Sequence, residues 1–216
     1  MTAPTRAPHV GVLAMQGDFA EHVTLLARIG IDAHEVRTRA QLDACDGLII
    51  PGGESTTIAR LLIAFDLMEP LRARIAGGLP VWGTCAGAIL LARDAPALDR
   101  PPIGVMDISV DRNAFGRQLD SFEANLDVTG IDGGPLRAVF IRAPVIASAG
   151  PGVEVLARLD DGRVVACREG SMLATAFHPE LTGDTRFHAL FASLVRDAVA
   201  GDAADGAAGS RQEATA

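Results

Sequence analysis

Lysine is absent from this chain of 216 residues, and all 19 of its basic residues are arginine. Without a lysine amine the chain cannot form a Schiff base, hold a phosphate as a Walker A loop does, or build a Ser–Lys dyad. Basic residues are also outnumbered, because 27 acidic residues bring the formal net charge to −8 at pH 7. Since nucleic-acid binding needs a basic face, we expect no nucleic-acid partner.

Cysteines and long apolar segments are scarce as well. The three cysteines, Cys45, Cys85 and Cys167, lie far apart with no C-x-x-C spacing, which argues against a disulfide framework and a structural zinc site. No apolar run approaches the roughly 18 residues of a membrane span, and residues 1–8 contain no apolar signal-peptide core. We therefore expect a cytoplasmic protein with no membrane partner.

The first half of the chain alternates the signals of strands and helices. Short apolar runs at residues 9–14, 33–37, 47–50 and 80–84 predict strands. Amphipathic segments between them predict helices, the first with Asp18 as its N-cap. This alternation predicts a mostly parallel sheet with helices on both faces.

The second half is rich in strands and turns. Further strands are predicted between residues 103 and 177, and an amphipathic helix follows from Asp184. The fold class is therefore α/β, a mostly parallel central sheet flanked by helices with additional antiparallel strands. We expect a flexible N-terminus at residues 1–8, a single domain at residues 9–199, and a disordered tail at residues 200–216, where little can be buried.

The motif Gly-Thr-Cys-Ala-Gly at residues 83–87 lies between a predicted strand and a predicted helix. It has the pattern of a nucleophile elbow, in which flanking glycines permit a sharp turn. Such a turn would project the Cys85 thiol from the carboxyl edge of the sheet, at a helix N-terminus that favours the thiolate. A lone cysteine is more often a buried packing residue, but glycines on both sides at a strand–helix junction favour a nucleophile. The backbone amide of Ala86 would face the oxygen on which charge develops.

The motif His-Pro-Glu at residues 178–180 follows a late predicted strand. In an extended segment residues i and i+2 project to the same side, so His178 and Glu180 can reach one site. His178 would then serve Cys85 as base and acid, with Glu180 orienting the imidazole as in a triad. Taken alone, His-x-Glu is more typical of a solvated strand end, and only its combination with the elbow makes it specific.

A third motif, Pro-Gly-Gly-Glu-Ser-Thr at residues 51–56, also lies between a strand and a helix. Its two glycines would let backbone amides approach a ligand, which predicts an oxyanion hole or an anion nest. The alternative is a flexible loop followed by a Ser/Thr helix cap.

Taken in order, these three motifs resemble those of the triad-type (class I) glutamine amidotransferases. More narrowly, the segments at residues 14–17 (AMQG), 51–57 (PGGESTT), 111–118 (DRNAFGRQ), 121–123 (SFE) and 140–144 (FIRAP) resemble the glutaminase subunits of pyridoxal 5′-phosphate synthases. The resemblance extends over about residues 9–199, and the segment at residues 111–118 is more specific than the triad. It implies a flavodoxin-like, three-layer fold and hydrolysis of L-glutamine to L-glutamate and ammonia.

The resemblance also implies a role for each matching position. Cys85 would be the nucleophile, His178 the base and acid, and Glu180 the residue that orients it, with an oxyanion hole from the backbone of Gly53 and Ala86. The residues that would bind L-glutamine are Gly53, Glu54, Ser55, Arg112, Ile141 and Arg142. Which arginine touches the substrate stays open, and either could instead be a surface ion-pair residue. Neither a cofactor nor a metal is implied.

The partner implied by the resemblance is a synthase subunit, to which the ammonia passes for pyridoxal 5′-phosphate (vitamin B6) biosynthesis. Because this chain has no lysine, the imine chemistry of that synthesis must occur on the partner. We therefore expect a hetero-oligomer in which the isolated glutaminase is weak and the partner completes the oxyanion hole. The alternatives are a glutaminase subunit of another enzyme, such as imidazole glycerol phosphate synthase, or a non-catalytic regulatory member of the fold.

Overall fold

The computed structural model of the chain describes residues 7–96, 98–112 and 121–213, with side chains as far as Gly201. Residues 1–6 of the predicted flexible N-terminus lie outside the described residues. So do residues 113–118, which make up most of the specific Arg-Asn-x-Phe-Gly-Arg-Gln segment.

A large mixed sheet forms the centre of the molecule. The strands, including a separate pair, are β1 (His9–Leu13), β2 (Asp32–Val36), β3 (Gly47–Ile50), β4 (Val81–Thr84), β5 (Ala92–Asp94), β6 (Met106–Asp111), β7 (Ser121–Leu126), β8 (Leu136–Ile141), β9 (Val145–Ala149), β10 (Glu154–Arg158), β11 (Val164–Glu169) and β12 (Met172–Thr175). Within the described ranges, ten strands make the main sheet in the order β2-β1-β3-β4-β12-β11-β9-β6-β5, with β10 paired to β11.

The pairing confirms the predicted fold class. The strands from β2 to β12 in this order are parallel to their neighbours, whereas β11 runs antiparallel to β12, β10 and β9. Strands β7 and β8 form a separate antiparallel pair. The antiparallel strands of the second half thus extend a parallel core, as the change in sequence pattern predicts.

Helices cover both faces of the sheet. They are α1 (Phe19–Arg28), α2 (Arg39–Ala44), α3 (Ser55–Ala64), α4 (Met68–Ala76), α5 (Ala86–Leu91) and α6 (Arg186–Glu213). One buried cluster packs residues of α2 to α5 against one face, and a second packs residues of α1, α6 and the β7–β8 pair against the other. Neighbouring residues of β3 divide accordingly, since Leu48 and Ile50 belong to the first cluster and Ile49 to the second.

Four elements differ from the sequence prediction. One of them, strand β5, was not predicted because three residues are too few to show a pattern. Helix α2 has only six residues, which are too few to show an apolar periodicity in the sequence. It is stabilised by a capping box between Thr38 and Gln41. Strand β9 was not predicted separately, because it continues directly from the preceding strand and turn. Helix α6 continues as far as Glu213, through most of the segment for which disorder is predicted. Alanine has the highest helix propensity, which favours the extension of an existing helix through this segment.

The fold places several loops at one edge of the sheet. Strands β1, β3, β4 and β12 are parallel, so the segments that follow them meet at the same carboxyl edge, where ligands of open α/β sheets bind.

In the described residues, no helix combines the length and apolar character of a membrane span.

Candidate active site

Cys85 stands at the sharp turn between β4 and α5, with φ 46° and ψ −101°. The flanking glycines are required sterically: a Cβ on Gly83 would lie 2.4 Å from the carbonyl carbon of Gly87, and a Cβ on Gly87 would lie 2.0 Å from the carbonyl oxygen of Ile50. The backbone N–H of Cys85 donates to the carbonyl of Thr175 at 2.8 Å, which ties the turn to β12. A strained backbone held by its neighbours in this way is typical of functional sites.

Strand β12 brings the histidine to the cysteine. Because Thr175 pairs with Thr84 in the parallel register, the segment after β12 runs beside the Cys85 turn. The thiol of Cys85 lies in hydrogen-bonding contact with the imidazole of His178. The Nδ1 atom of His178 lies 2.7 Å from Oε1 of Glu180, so Nε2 is left for the sulfur.

The local backbone around Glu180 differs from the prediction. The extended spacing was expected to place both side chains on one side, but Glu180 lies in a short 3₁₀ helix, Pro179–Leu181. Proline favours the first position of a helix because it has no N–H to satisfy there. The two side chains nevertheless reach each other, through the helical turn rather than through strand alternation.

The electrostatics of this cluster favour a protonated imidazole. Burial lowers the pKa of His178, but the contacts with Cys85 and Glu180 outweigh this and raise its pKa to about 10. Burial acts in the opposite direction on the carboxyl of Glu180, whose pKa is raised although the hydrogen bond with His178 counteracts the shift. An imidazolium between a sulfur and a carboxylate is the arrangement that stabilises a thiolate nucleophile.

The glycine loop after β3 lies against this imidazole. A Cβ on Gly52 would lie 2.3 Å from Cε1 of His178, so only glycine fits there. Gly53 has φ +150°, and a Cβ on it would lie 2.6 Å from Oε1 of Gln16. The same oxygen of Gln16 accepts a hydrogen bond from the backbone N–H of Glu54 at 2.7 Å. The side chain of Gln16 therefore holds the loop in place.

The polar side chains after the loop have distinct partners. Glu54, rather than a serine or threonine, caps α3: its carboxylate accepts hydrogen bonds from the backbone N–H groups of Thr56 and Thr57. Burial would raise the pKa of Glu54, but these bonds, the Thr57 hydroxyl and Arg112 together lower it to about 2. Ser55 is 1% exposed, and its Oγ has no hydrogen-bond partner among the described residues.

The two candidate arginines differ in their surroundings. Arg112 donates to Oε1 of Glu54 at 3.0 Å and to the hydroxyl of Thr56 at 3.1 Å, so it is an ion-pair residue at the edge of the site. Arg142 follows β8 with φ 42°, and the described part of the chain gives it no carboxylate partner. Of the two guanidinium groups, that of Arg142 is therefore the one that no carboxylate engages among the described residues.

A cavity of about 380 Å³ connects these groups. Its walls include every site residue predicted from the sequence except Glu180, which is buried behind His178. The cavity is lined by Gln16, Asp18, Gly53, Glu54, Ser55, Cys85, Ala86, Ile89, Arg112, Ile141, Arg142 and His178.

Comparison with known proteins identifies the family. The sequence profile of the SNO glutamine amidotransferase family matches residues 12–197. The chain belongs to this family. Two similar relatives are named pyridoxal 5′-phosphate synthase subunit PdxT. The one from Parafrankia sp. (strain EAN1pec) is 60% identical over 88% of this chain and 94% of that protein, and the one from Acidothermus cellulolyticus is 57% identical over 90% and 97%.

Solved structures agree with this amidotransferase assignment. A crystal structure of a glutamine amidotransferase matches with a TM-score of 0.81 and 50% identity, covering 86% of this chain and 98% of that chain. A putative GMP synthase protein from Thermoplasma acidophilum matches with a TM-score of 0.65 at 17% identity, over 93% and 98% of the two chains. The second match shows the shared fold alone.

Three residues that line the amidotransferase cavity were missed as site residues in the sequence. Two of them, Gln16 and Asp18, lie at the carboxyl edge of the sheet, directly after β1. The third, Ile89, lies in α5, the helix that follows the elbow. Asp18 occupies the N-cap position of α1, as predicted, but its side chain makes no capping hydrogen bond. Its carboxylate instead lies 3.5 Å from Nδ1 of His178. The position of Gln16 and Asp18 directly after a parallel strand was the available signal.

Some of these groups have the chemistry of metal ligands. Asp18, His178 and Glu180 can each bring one ligand atom within 4.8 Å of the others. However, Nδ1 of His178 already shares a hydrogen bond with Glu180. A metal bound there would compete with that hydrogen bond, so the set suits an acid–base triad better than a metal centre.

Proposed function

We propose that this amidotransferase hydrolyses L-glutamine with a Cys85–His178–Glu180 triad and delivers the ammonia to a synthase subunit that makes pyridoxal 5′-phosphate. One observation carries the proposal. The strained turn at Cys85 presents the thiol to an imidazole whose other nitrogen lies 2.7 Å from a buried carboxylate, and the cysteine and histidine both line one cavity.

In the first half of the reaction, the Cys85 thiolate attacks the carboxamide carbon of glutamine. The carboxamide oxygen becomes an oxyanion, for which the backbone amides of Gly53 and Ala86 are the proposed donors. The imidazolium of His178 then protonates the nitrogen, the C–N bond breaks, and ammonia leaves a γ-glutamyl thioester on Cys85.

In the second half, His178 acts as a base. It takes a proton from water, whose oxygen attacks the thioester carbonyl, and the C–S bond breaks to release glutamate and the thiolate. Glu180 holds the imidazole in one tautomer throughout and stabilises its charged form.

The polar groups of the cavity suit a free amino acid. An α-carboxylate needs a cation. Arg142 lines the cavity and has no carboxylate partner in the part of the chain that the structure describes, whereas Arg112 is bound to Glu54. The hydroxyl of Ser55, which has no hydrogen-bond partner among the residues described, can donate to the substrate or accept from it. We propose that Arg142 and Ser55 contact L-glutamine directly, and that Glu54 and Arg112 shape the cavity wall beside it.

The identity of the partner rests on the relatives. Their name, pyridoxal 5′-phosphate synthase subunit PdxT, favours this synthase over imidazole glycerol phosphate synthase. The absence of lysine fits a division of labour, because imine chemistry then requires a partner that carries the amine. We propose a hetero-oligomer of the glutaminase with that synthase subunit.

The triad can be tested by alkylation with a glutamine-analogue electrophile and mass spectrometry of all three cysteines. Cys45 and Cys167 are internal controls, since burial raises the pKa of both thiols, that of Cys167 to about 12. We expect labelling at Cys85 alone, protection by L-glutamine, and loss of labelling in His178→Gln. Equal labelling of the three cysteines would contradict the triad.

The coupling to a synthase is tested separately by measuring glutamate release with and without the synthase subunit. We expect weak release from the isolated chain and strong release from the complex, with none from Cys85→Ala in either. Full activity of the isolated chain would refute the dependence on a partner without affecting the triad.

A further inference from the structure

Two buried histidines lie behind the carboxylate of Glu180. While Oε1 of Glu180 contacts His178, Oε2 lies 3.4 Å from Nε2 of His22 in α1 and has no hydrogen-bond partner among the described residues. The Nδ1 atom of His22 in turn lies 2.9 Å from Nε2 of His188 in α6. The side chains of Glu180 and His22 are fully buried, and His188 has no exposed surface.

Both imidazoles are neutral in this environment. Burial, followed by the neighbouring His188 and His178, holds the pKa of His22 well below its usual range. Burial also lowers the pKa of His188 to about 4, although Asp184 acts in the opposite direction. Trp82 packs against both rings in an edge-to-face arrangement. Each histidine therefore has one N–H to donate and one lone pair to accept with.

The neutral pair has one favourable tautomer. If His22 donates from Nε2, then Glu180 and the hydroxyl of Thr84, 3.4 Å from Nε2, can both accept. Its Nδ1 then accepts from Nε2–H of His188. The Nδ1 atom of His188, for which the described ranges offer no partner, then carries only a lone pair. In the opposite tautomer a lone pair of His22 would face the carboxylate, and His188 would bury an N–H without a partner, which costs more.

We propose that His22, held in this tautomer by His188, is a positioning residue that keeps the Glu180 carboxylate ionised and oriented toward His178. The inference rests on the proposed triad and deepens it. His22 touches neither the cavity nor the sulfur, and it acts only through Glu180. Hydrogen bonds of this kind often tighten only when charge develops during the reaction, so a 3.4 Å contact suits such a role.

The groups that face Glu180 set the sign of the expected pH effect. They are His178 and Asp18 at the site, and His22, with His188 and Asp184 behind it. Burial and Asp18 both raise the pKa of Glu180, and the contact with His178 and the backbone N–H of Glu180 oppose them. An N–H donated by His22 would oppose them further, because it favours the ionised carboxylate. Without that donor, the carboxylate would take up a proton at a higher pH, and the acid limb of activity would move to higher pH.

Two amide substitutions of His22 distinguish its contact with Glu180 from its contact with His188. The side-chain nitrogen of glutamine matches Nε2 of histidine and can still donate to Glu180. That of asparagine matches Nδ1 and can reach only His188. Glutaminase activity of the complex with the synthase subunit would be measured for His22→Gln, His22→Asn and His22→Leu across the pH range.

For His22→Leu and His22→Asn we expect kcat to fall about 10- to 100-fold, the loss typical of a hydrogen bond to a charged group, with KM nearly unchanged. Their acid limbs should move to higher pH, and alkylation of Cys85 in acid should slow in parallel. His22→Gln should recover most of kcat and the original pH profile. Equal activity of the Gln and Asn variants would overturn the inference.

Phe191→Leu is the matched control for lost packing. Phe191 is buried on the same helix as His188 and packs against the same Trp82 ring, but it does not contact Glu180. We expect it to lower the melting temperature without moving the pH profile. If the His22 variants behave like Phe191→Leu while Cys85→Ala is inactive, the triad stands and the inference fails. If Cys85→Ala retains activity, the triad itself fails.

Discussion

Gly52→Ala tests the packing of the glycine loop against the imidazole of His178, the proposed base and acid. A Cβ at this position would lie 2.3 Å from Cε1 and 2.9 Å from Nδ1 of His178, whereas ordinary contact begins at 3.4 Å. The imidazole must therefore retreat by about 1 Å, and it cannot do so while keeping both its 2.7 Å contact with Glu180 and its contact with Cys85. A misplacement of about 1 Å in a catalytic group can reduce the rate about 100-fold.

The assay is glutamate release by the complex with the synthase subunit, with kcat and KM measured separately. We expect Gly52→Ala to lower kcat about 100-fold while the free energy of unfolding changes by about 1 kcal/mol or less, because one side chain at a cavity wall moves. Gly152→Ala is the control, since Gly152 is exposed and its nearest neighbouring atom lies 4.0 Å from the added Cβ. A Gly52→Ala variant with normal kcat would show that the imidazole is not held where the structure places it.

Three further predictions concern the elbow, the substrate and pH. Gly87→Ala should lower the free energy of unfolding by about 2–3 kcal/mol in denaturant titrations, because its Cβ would meet the backbone oxygen of Ile50, which cannot move aside. Arg142→Gln should raise KM for glutamine about tenfold or more, and Arg112→Gln much less; the reverse order would contradict the assignment. Since the pKa of His178 is raised from 6.5 to about 10, its stabilising effect is complete below pH 6.5 and is lost as pH rises toward 10. The stability difference between the native chain and His178→Gln should therefore shrink over that interval.

The fold class could be predicted because each half of the chain has a clear local pattern. Strands β3 and β4 were found within one residue at either end, since short apolar runs between helices and turns have few alternatives. Helix α2 and strand β9 were missed, because a six-residue helix and a strand that follows another strand carry too little periodicity. The order of the antiparallel strands around β11 had no sequence signal at all.

The candidate site was predictable where the chemistry is local. The elbow comprises five consecutive residues that include Gly83, Cys85 and Gly87. The steric need for glycine at this turn could therefore be predicted from that short segment alone. The function of Glu54 was only partly predicted, because its carboxylate caps a helix and binds Arg112, a residue distant in the chain.

The sequence by itself determined the elbow at Cys85, the His-Pro-Glu motif and the α/β class, because each depends on interactions between residues close together in the chain. Only the tertiary structure brought His22 to His188, which stand 166 positions apart, and placed both behind Glu180. That meeting depends on how α1 and α6 pack over the same face of the sheet. Strand order and helix packing depend on the burial of the whole core, so they cannot be predicted from any short segment of the sequence.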